Sequence, residues 1–543
     1  MNISHGIRRI TQLFLVLFLA MSAGLVYWQV AVADQVTSNP RNLRSCMSTS
    51  VPQRGRIFDR NGVLLADSQP DPNACGGFVR HYYEPSLAGL IGYYPGPYFL
   101  ATGLEAKFDD YLSGRVGMTS LDNQVNKTLH RSPVGDDIYL TIDVRIQRIL
   151  VQHFNQQAPV DNVNSFASDR GSAMVMDPHT GEVLAIYSSP GYDPNKMVQT
   201  LTHASLSYYN QMVNDPERPL VFRPTQGQYV PGSTYKAMTL MAGIDSGTTS
   251  LGQTYDPKFT MGPVTLGQHL FTPAVSNINT FTSPNAHVST NYGFAHSDNI
   301  LFAKIGQDMG VDSWLAYNKK FLVGEKIPFE LPVAVSRVTQ TDGTLSENYL
   351  VDNAFGQGVD FVTPFQMMMI DNIAANDGQL MQPTVLSKVA TRDKAPVKTF
   401  SPQNLGDAQI KQSTAIDTRK AMFGVVQCGS GNNDFVHGAM LSTSRWNIIG
   451  KTGTAELGNG KPAHGWLITQ APYDWQQTDK MPALTIMAMK ENGGEGANAV
   501  GPMITSTYND IFNQGLVKAD LPPAAPSITG STNQYCHNVA HLL

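Results

Sequence analysis

Four cysteines, Cys46, Cys75, Cys428 and Cys536, are all that the 543 residues carry. None stands at the spacing of a metal site, and the thirteen histidines include no His-x-x-x-His pair with a carboxylate partner, so neither a metal nor another cofactor is expected. An excess of one charge is also lacking. Lys and Arg number 38 against 43 Asp and Glu, a formal net charge of -5, and no basic block is interleaved with aromatics. That balance is not the footprint of a polyanion-binding surface, and nucleic acid is not expected as a partner. Internal repeats are absent too, which sets aside repeat architectures.

What the chain does have is length for two or more domains with sizeable cores, and one long apolar run. Leu13 through Val32 is interrupted mainly by Ser22 and Gln29. About 20 apolar residues span a bilayer, whereas the apolar part of a cleavable signal runs to about 7 to 15. Arg8 and Arg9 suit the cytoplasmic side, Tyr27 and Trp28 the far interface. The expectation is a tail over residues 1–9 and an anchor over 10–33, single-pass in the cell membrane, with everything after Asp34 outside the cytoplasm. Ala31-Val32-Ala33 also fits a signal-peptidase site, so cleavage after Ala33 stays open. An even cysteine count in an oxidising compartment permits two disulfides in three connectivities. Cys46 with Cys75, and Cys428 with Cys536, is the most local choice.

Residues 34–134 are rich in turn formers. Within them Arg54 to Ala66 carries an Asn-Gly turn, Asn61-Gly62, between apolar runs, a hairpin signal. Asp136 to Asp143 reads as a strand leading into an amphipathic helix over Ile146 to Phe154, where a second module is expected to begin. Ser172 to Asp177 and Glu182 to Ser189 read as a hairpin, and Gly465 to Ala471 and Pro482 to Lys490 as two more strands. Between them Leu240 to Ile244, Ile300 to Met309 and Pro364 to Ala375 show apolar spacing near 3.6. Strands at both ends with helices between predict one α/β layer architecture. Residues 519–543 read as a loose tail.

The chemistry-bearing stretch is Pro231-Gly232-Ser233-Thr234-Tyr235-Lys236. A serine hydroxyl needs a base within reach and donors aimed at the oxyanion it creates. Lys236, three residues on, shares a helix face with Ser233, and Pro-Gly marks a turn into that helix. Alone, Ser-x-x-Lys is also a solvated lysine on a helix. Downstream stand Ser297-Asp298-Asn299, then Lys451-Thr452-Gly453-Thr454 after an apolar strand over Trp446 to Ile449. Ser-x-Asn recurs at Ser283 and Ser289, but only the copy at 297 runs directly into an amphipathic helix. As a helix cap it would have no catalytic part, and Lys-Thr-Gly could be a plain strand end. Gly453 inside a strand marks close approach by a ligand or another backbone.

The ordered triple resembles penicillin-binding proteins and class A β-lactamases. The stretches at 54–66, 86–93 and 102–105, with Gly356-Gln357-Gly358, Ala374 to Gly378 and Gly465-Trp466, resemble class B, monofunctional penicillin-binding proteins over roughly residues 54–511. That resemblance implies a serine β-lactamase/transpeptidase-like α/β fold, an antiparallel sheet flanked by helices. It implies a β-rich pedestal at 34–134, of the penicillin-binding protein dimerisation type, and a transpeptidase domain at 135–518. It implies peptidoglycan D,D-transpeptidase activity: Ser233 attacks the penultimate D-alanine carbonyl, Lys236 takes its proton, and Ser297 relays a proton to the leaving amine. The backbone N–H groups of Ser233 and Thr454 form the oxyanion hole. Asn299 contacts the substrate backbone, and Lys451, Thr452, Gly453 and Thr454 organise the relay and hold the terminal carboxylate. Implied partners are stem peptides, lipid-linked glycan strands, β-lactams and a SEDS-family glycan polymerase, since residues 34–54 leave no room for a glycosyltransferase domain. A membrane-anchored β-lactamase shares the three motifs, but between Ser297 and Lys451 no Glu-x-x-Leu-Asn segment occurs; Glu347 to Val351 comes nearest. A β-lactam sensor or scaffold is the non-enzymatic alternative.

Overall fold

The computed structural model describes residues 3–32, 53–72, 74, 77–97, 99–116, 134–156, 160–203, 205–276, 287–432 and 440–525. Cys46, Cys75, Cys536, Ser283, Asn285 and the tail beyond residue 525 lie outside them. Cys428 is disulfide-bonded, and its partner lies outside the described residues.

Two sheets carry the fold. The larger is six-stranded: β1 (Ile57–Phe58), β2 (Leu64–Pro70), β3 (Phe78–Tyr82), β4 (Asp137–Leu140), β11 (Leu386–Ala390) and β12 (Pro396–Thr399), in the order β12-β11-β4-β1-β2-β3. The expected hairpin is there. β1 and β2 pair antiparallel with Phe58 opposite Leu64, and the turn between them carries Gly62 at φ 84°, a left-handed conformation that glycine adopts without steric cost. β4 pairs parallel with β1 and antiparallel with β11. This sheet therefore takes strands from both sides of residue 134, and β4, read as the opening of the second module, joins the sheet of the first. Beneath it Glu105, fully buried, accepts hydrogen bonds from Arg54 Nε at 2.5 Å and Arg80 Nε at 2.6 Å.

The second sheet runs β13 (Ile449–Ala455), β14 (His464–Ala471), β15 (Leu484–Lys490), β5 (Gly171–Met176), β6 (Val183–Ser189), all antiparallel. Side chains alternate across a strand, so continuous apolar runs serve two cores. Ala173, Val175, Leu467, Ile486 and Ala488 meet the helices Val144–Asn155 and Gly496–Asn513 on one face. Met174, Met176, Trp466, Ile468, Met487 and Met489 meet the core of the other face, where the helices Lys236–Asp245, Pro364–Ala375 and Gln412–Gln427 lie. The remaining strands form two short pairs: β7 (Thr254–Tyr255) with β10 (Val288–Ser289), and β8 (Val264–Leu266) with β9 (His269–Phe271).

One strand boundary moves. Lys451-Thr452-Gly453-Thr454 lies inside β13, not after an apolar strand over 446–449. β13 is an edge strand, so one row of its backbone groups faces away from the sheet. At the N-terminus an α-helix over Ile3–Val26 continues into a π-helical turn over Tyr27–Ala31. The segment Ile7–Val30 is apolar enough to cross a membrane, with mean hydropathy 2.0, and its 24 residues extend about 36 Å at 1.5 Å per helical residue.

Candidate active site

Ser233 sits in a 3₁₀ turn, Gly232–Tyr235, at the N-terminus of the helix Lys236–Asp245. Backbone approaches on both sides hold that turn. Gly232 has φ 57°, and a Cβ there would lie 2.6 Å from the Thr454 carbonyl oxygen; a Cβ on Gly356 would lie 1.9 Å from the Gly232 carbonyl oxygen. Gly232 N–H donates to the Gly356 carbonyl at 3.0 Å. Gly453 is tight for a related reason. Its missing Cβ would be 2.8 Å from Thr234 Cγ2 and 3.1 Å from the Pro231 carbonyl oxygen, so the close approach in β13 is by the turn that carries Ser233.

Lys236 is fully buried, and its Nζ is the hub. It donates to Ser233 Oγ at 3.0 Å, Ser297 Oγ at 3.1 Å and Asn299 Oδ1 at 2.7 Å, and also to the Ser297 carbonyl. Burial pushes its pKa down from 10.5 to about 7, with the charge of Asp298 working in the opposite direction. Lys451, equally buried, donates to Ser297 Oγ at 2.9 Å and to the Thr452 carbonyl at 3.0 Å. Burial, then the neighbouring Lys236, holds it well below the usual lysine range.

Ser297 thus lies between two buried lysine side chains, and its backbone is bent to put it there. Its φ of 62° is left-handed, uncommon for a residue with a Cβ. The bend is secured by Ser297 N–H to the Phe294 carbonyl at 3.1 Å and Asp298 N–H to the Gly293 carbonyl at 2.7 Å. Asp298 caps the helix Asn299–Met309, accepting from Leu301 N–H at 2.8 Å. The capping that a motif of this kind can provide is therefore done by Asp298, and Ser297 and Asn299 are left to meet Lys236. The competing Ser289 caps its own helix, Thr290–Ala295. Asn299 also donates from Nδ2 to the Val275 carbonyl at 3.2 Å.

Along β13 the carbonyls of Thr452 and Thr454 accept from Lys451 Nζ and from Gln357 Nε2, the latter at 3.0 Å, neither of which belongs to β14. In a strand the N–H and C=O of one residue point to the same edge. The Thr454 N–H therefore faces the open edge, beside the Ser233 turn. Ser233 N–H is among the first donors of a helical turn, which have no intrahelical partner. Ser233, Ser297, Asn299, Thr452, Gly453 and Thr454 line one cleft of about 1260 Å³, and Lys236 and Lys451 lie buried behind it. Two contributors were not singled out for a role from sequence. Gln357 braces Thr454, and Ser430 Oγ meets Thr452 Oγ1 at 2.6 Å. A Gly-Ser-Gly turn directly after a helix is the signal that could have marked Ser430.

A family model described as the penicillin binding protein transpeptidase domain matches residues 171–506, more than half of the chain, and the chain belongs to that family, in its class B branch. It is 29% identical over 505 residues to the peptidoglycan D,D-transpeptidase PbpA of Mycolicibacterium smegmatis, covering 91% of this chain and 95% of the relative. With the peptidoglycan D,D-transpeptidase MrdA of Escherichia coli K12 it shares 25% over 542 residues, 90% of this chain and 80% of that one. Penicillin-binding protein A from Mycobacterium tuberculosis, solved as a ceftriaxone acyl-enzyme complex, has the same fold with a TM-score of 0.72 and 24% identity, over 85% of this chain and 98% of that chain.

Proposed function

We propose that this chain cross-links peptidoglycan stem peptides as a serine D,D-transpeptidase and is acylated by β-lactams at the same serine. The observation that carries the reading is the convergence of Ser233, Ser297 and Asn299 on one buried lysine. Lys236, its pKa lowered to about 7 so that a neutral fraction is present near pH 7, accepts the Ser233 proton as Oγ bonds to the penultimate D-alanine carbonyl carbon. The oxyanion is met by the N–H groups of Ser233 and Thr454. Collapse breaks the peptide bond, and Ser297, held by Lys236 and Lys451, passes its proton to the leaving D-alanine nitrogen and takes the Lys236 proton in its place. An amine of a second stem peptide then attacks the ester, and Ser233 regains its proton. Asn299 orients Lys236 and the substrate backbone, while Thr452, Gly453 and Thr454 form the strand edge along which the peptide lies.

The hydrolase reading finds less support. The segment nearest to a deacylating glutamate motif, Glu347 to Val351, forms part of the helix Glu347–Asn353, and Glu347 does not line the cleft. In the division we favour, residues 1–9 are a cytoplasmic tail, 10–33 the anchor, 34–134 the pedestal, 135–518 the transpeptidase domain and 519–543 a tail, with β4, β11 and β12 completing the pedestal sheet. The catalytic domain faces away from the cytoplasm, and the anchor meets a SEDS-family glycan polymerase. The reading is tested by Ser233→Ala, which is expected to abolish labelling by a fluorescent penicillin in a folded protein. Retained labelling would overturn it.

A further inference from the structure

A substrate that ends in a carboxylate meets an unusual surface here. Among the described residues, no lysine or arginine lines the cleft. Lys236 and Lys451 are buried behind it, with their donors turned to Ser297, Asn299 and the Thr452 carbonyl. Of the histidines that line it, His269 is paired with Asp352 at 3.0 Å, and the His296 ring lies on Tyr292 with centroids 4.3 Å apart. The cleft's uncharged side-chain donors are the amides of Asn164, Gln268, Asn299 and Gln357 and a set of hydroxyls, of which the closest-set pair is Ser430 Oγ and Thr452 Oγ1, 2.6 Å apart.

The backbone holds Ser430 in place. It follows the helix Gln412–Gln427, and its N–H donates to the Ala295 carbonyl at 2.9 Å. A Cβ on Gly429 would lie 2.0 Å from that same carbonyl oxygen, so only glycine permits the approach. Gly431 N–H closes the turn onto the Val425 carbonyl at 2.9 Å, and Cys428, two residues before Ser430, is covalently tied by its disulfide. The segment is thereby registered against the same short helix that delivers Ser297. While the two hydroxyls bond each other, one donates to the other, and a single proton of the pair is left for a ligand. A carboxylate brought between them accepts from both, and hydrogen bonds to an ionised acceptor are the stronger kind.

We infer that Ser430 is a substrate-binding residue that, with Thr452, seats the carboxylate ending the donor peptide, or the corresponding carboxylate of a β-lactam. The inference rests on the acyl-transfer reading of Ser233. A purely structural Ser430, bracing the helix end against β13, makes a different prediction, because it would affect every ligand equally.

The test compares benzylpenicillin with its methyl ester, which lacks the negative charge, on the detergent-purified full chain. The second-order acylation rate is followed by intact mass. Ser430→Ala is expected to slow benzylpenicillin about 10- to 100-fold, the worth of one hydrogen bond to a charged group, and to change the ester less than about 2-fold. Ser430→Thr, which keeps the hydroxyl, restores the benzylpenicillin rate. Equal losses on both ligands, or no loss on benzylpenicillin, would overturn the assignment. If wild type is acylated by neither ligand, the acyl-transfer reading fails first and takes this one with it.

Discussion

Two regions of this molecule bury pairs of cationic side chains, and they do it in opposite ways. Under the six-stranded sheet Arg54 and Arg80 share Glu105, which accepts from both and from Tyr82 Oη at 3.2 Å. Arg54 also pairs with Asp109. There the charges are compensated. The two arginines hold the Glu105 carboxyl below its usual range against the opposing effect of burial. Behind the cleft, Lys236 and Lys451 flank one serine hydroxyl, and their hydrogen bonds go to hydroxyl, amide and carbonyl oxygens. Burial without a paired carboxylate drives a lysine towards neutrality, whereas burial with one keeps the ions and ties segments together. The first arrangement suits a base and the second a clasp.

The largest expected effect comes from removing the base. Lys236→Met is expected to slow acylation by about 100- to 10,000-fold, measured as the rate of penicillin adduct formation. It is also expected to raise the melting temperature, because the wild-type fold disfavours a proton that the unfolded chain binds. The sign follows from the folded pKa of about 7 lying below the unfolded 10.5. Between those values the unfolded state holds more protons, so wild-type stability gains with rising pH, and the methionine variant loses that gain. A lower melting temperature for Lys236→Met across this window would break the comparison.

Breaking the clasp has the reverse profile. Glu105→Ala leaves two buried guanidinium groups without their shared counter-charge, at a cost of about 3 to 5 kcal/mol in denaturant unfolding. Acylation per folded molecule is expected to stay at the wild-type rate. A loss of acylation that outruns the loss of folded protein would mean that the two regions are coupled. The smallest effect belongs to the rim of the same cluster. Arg115 is more than half exposed and pairs with Asp109 and Asp110, so Arg115→Ala is expected to cost less than about 1 kcal/mol.

The catalytic half of this comparison was largely legible in the sequence, and the structural half was not. Ser233 and Lys236 share a local spacing, and Ser297, Asn299 and Lys451 come with their own flanking helix and strand, so each could be read in place. Ser430 could not, since it reaches Thr452 from 22 positions away through a turn with no periodicity. Glu105 was read only as part of a family-like stretch, and its partner Arg54 lies 51 positions off. The helix Gly496–Asn513 escaped because Gly496, Gly501 and Pro502 are poor helix formers and tertiary packing on β14 and β15 overrides them. β4 was read correctly as a strand, but strand patterns carry no record of which sheet will take them. The apolar N-terminal helix was plain because a run of apolar residues needs no partner to be recognised.

The central claim is that an uncharged Lys236 takes the Ser233 proton, and the pH dependence of acylation tests it most directly. The second-order rate constant for benzylpenicillin, followed from about pH 5 to about pH 9, should rise about tenfold per unit at the acid end and level off above about 7, as the lysine loses its proton. A profile that is flat across that range, or that falls as the pH climbs through 7, would contradict it.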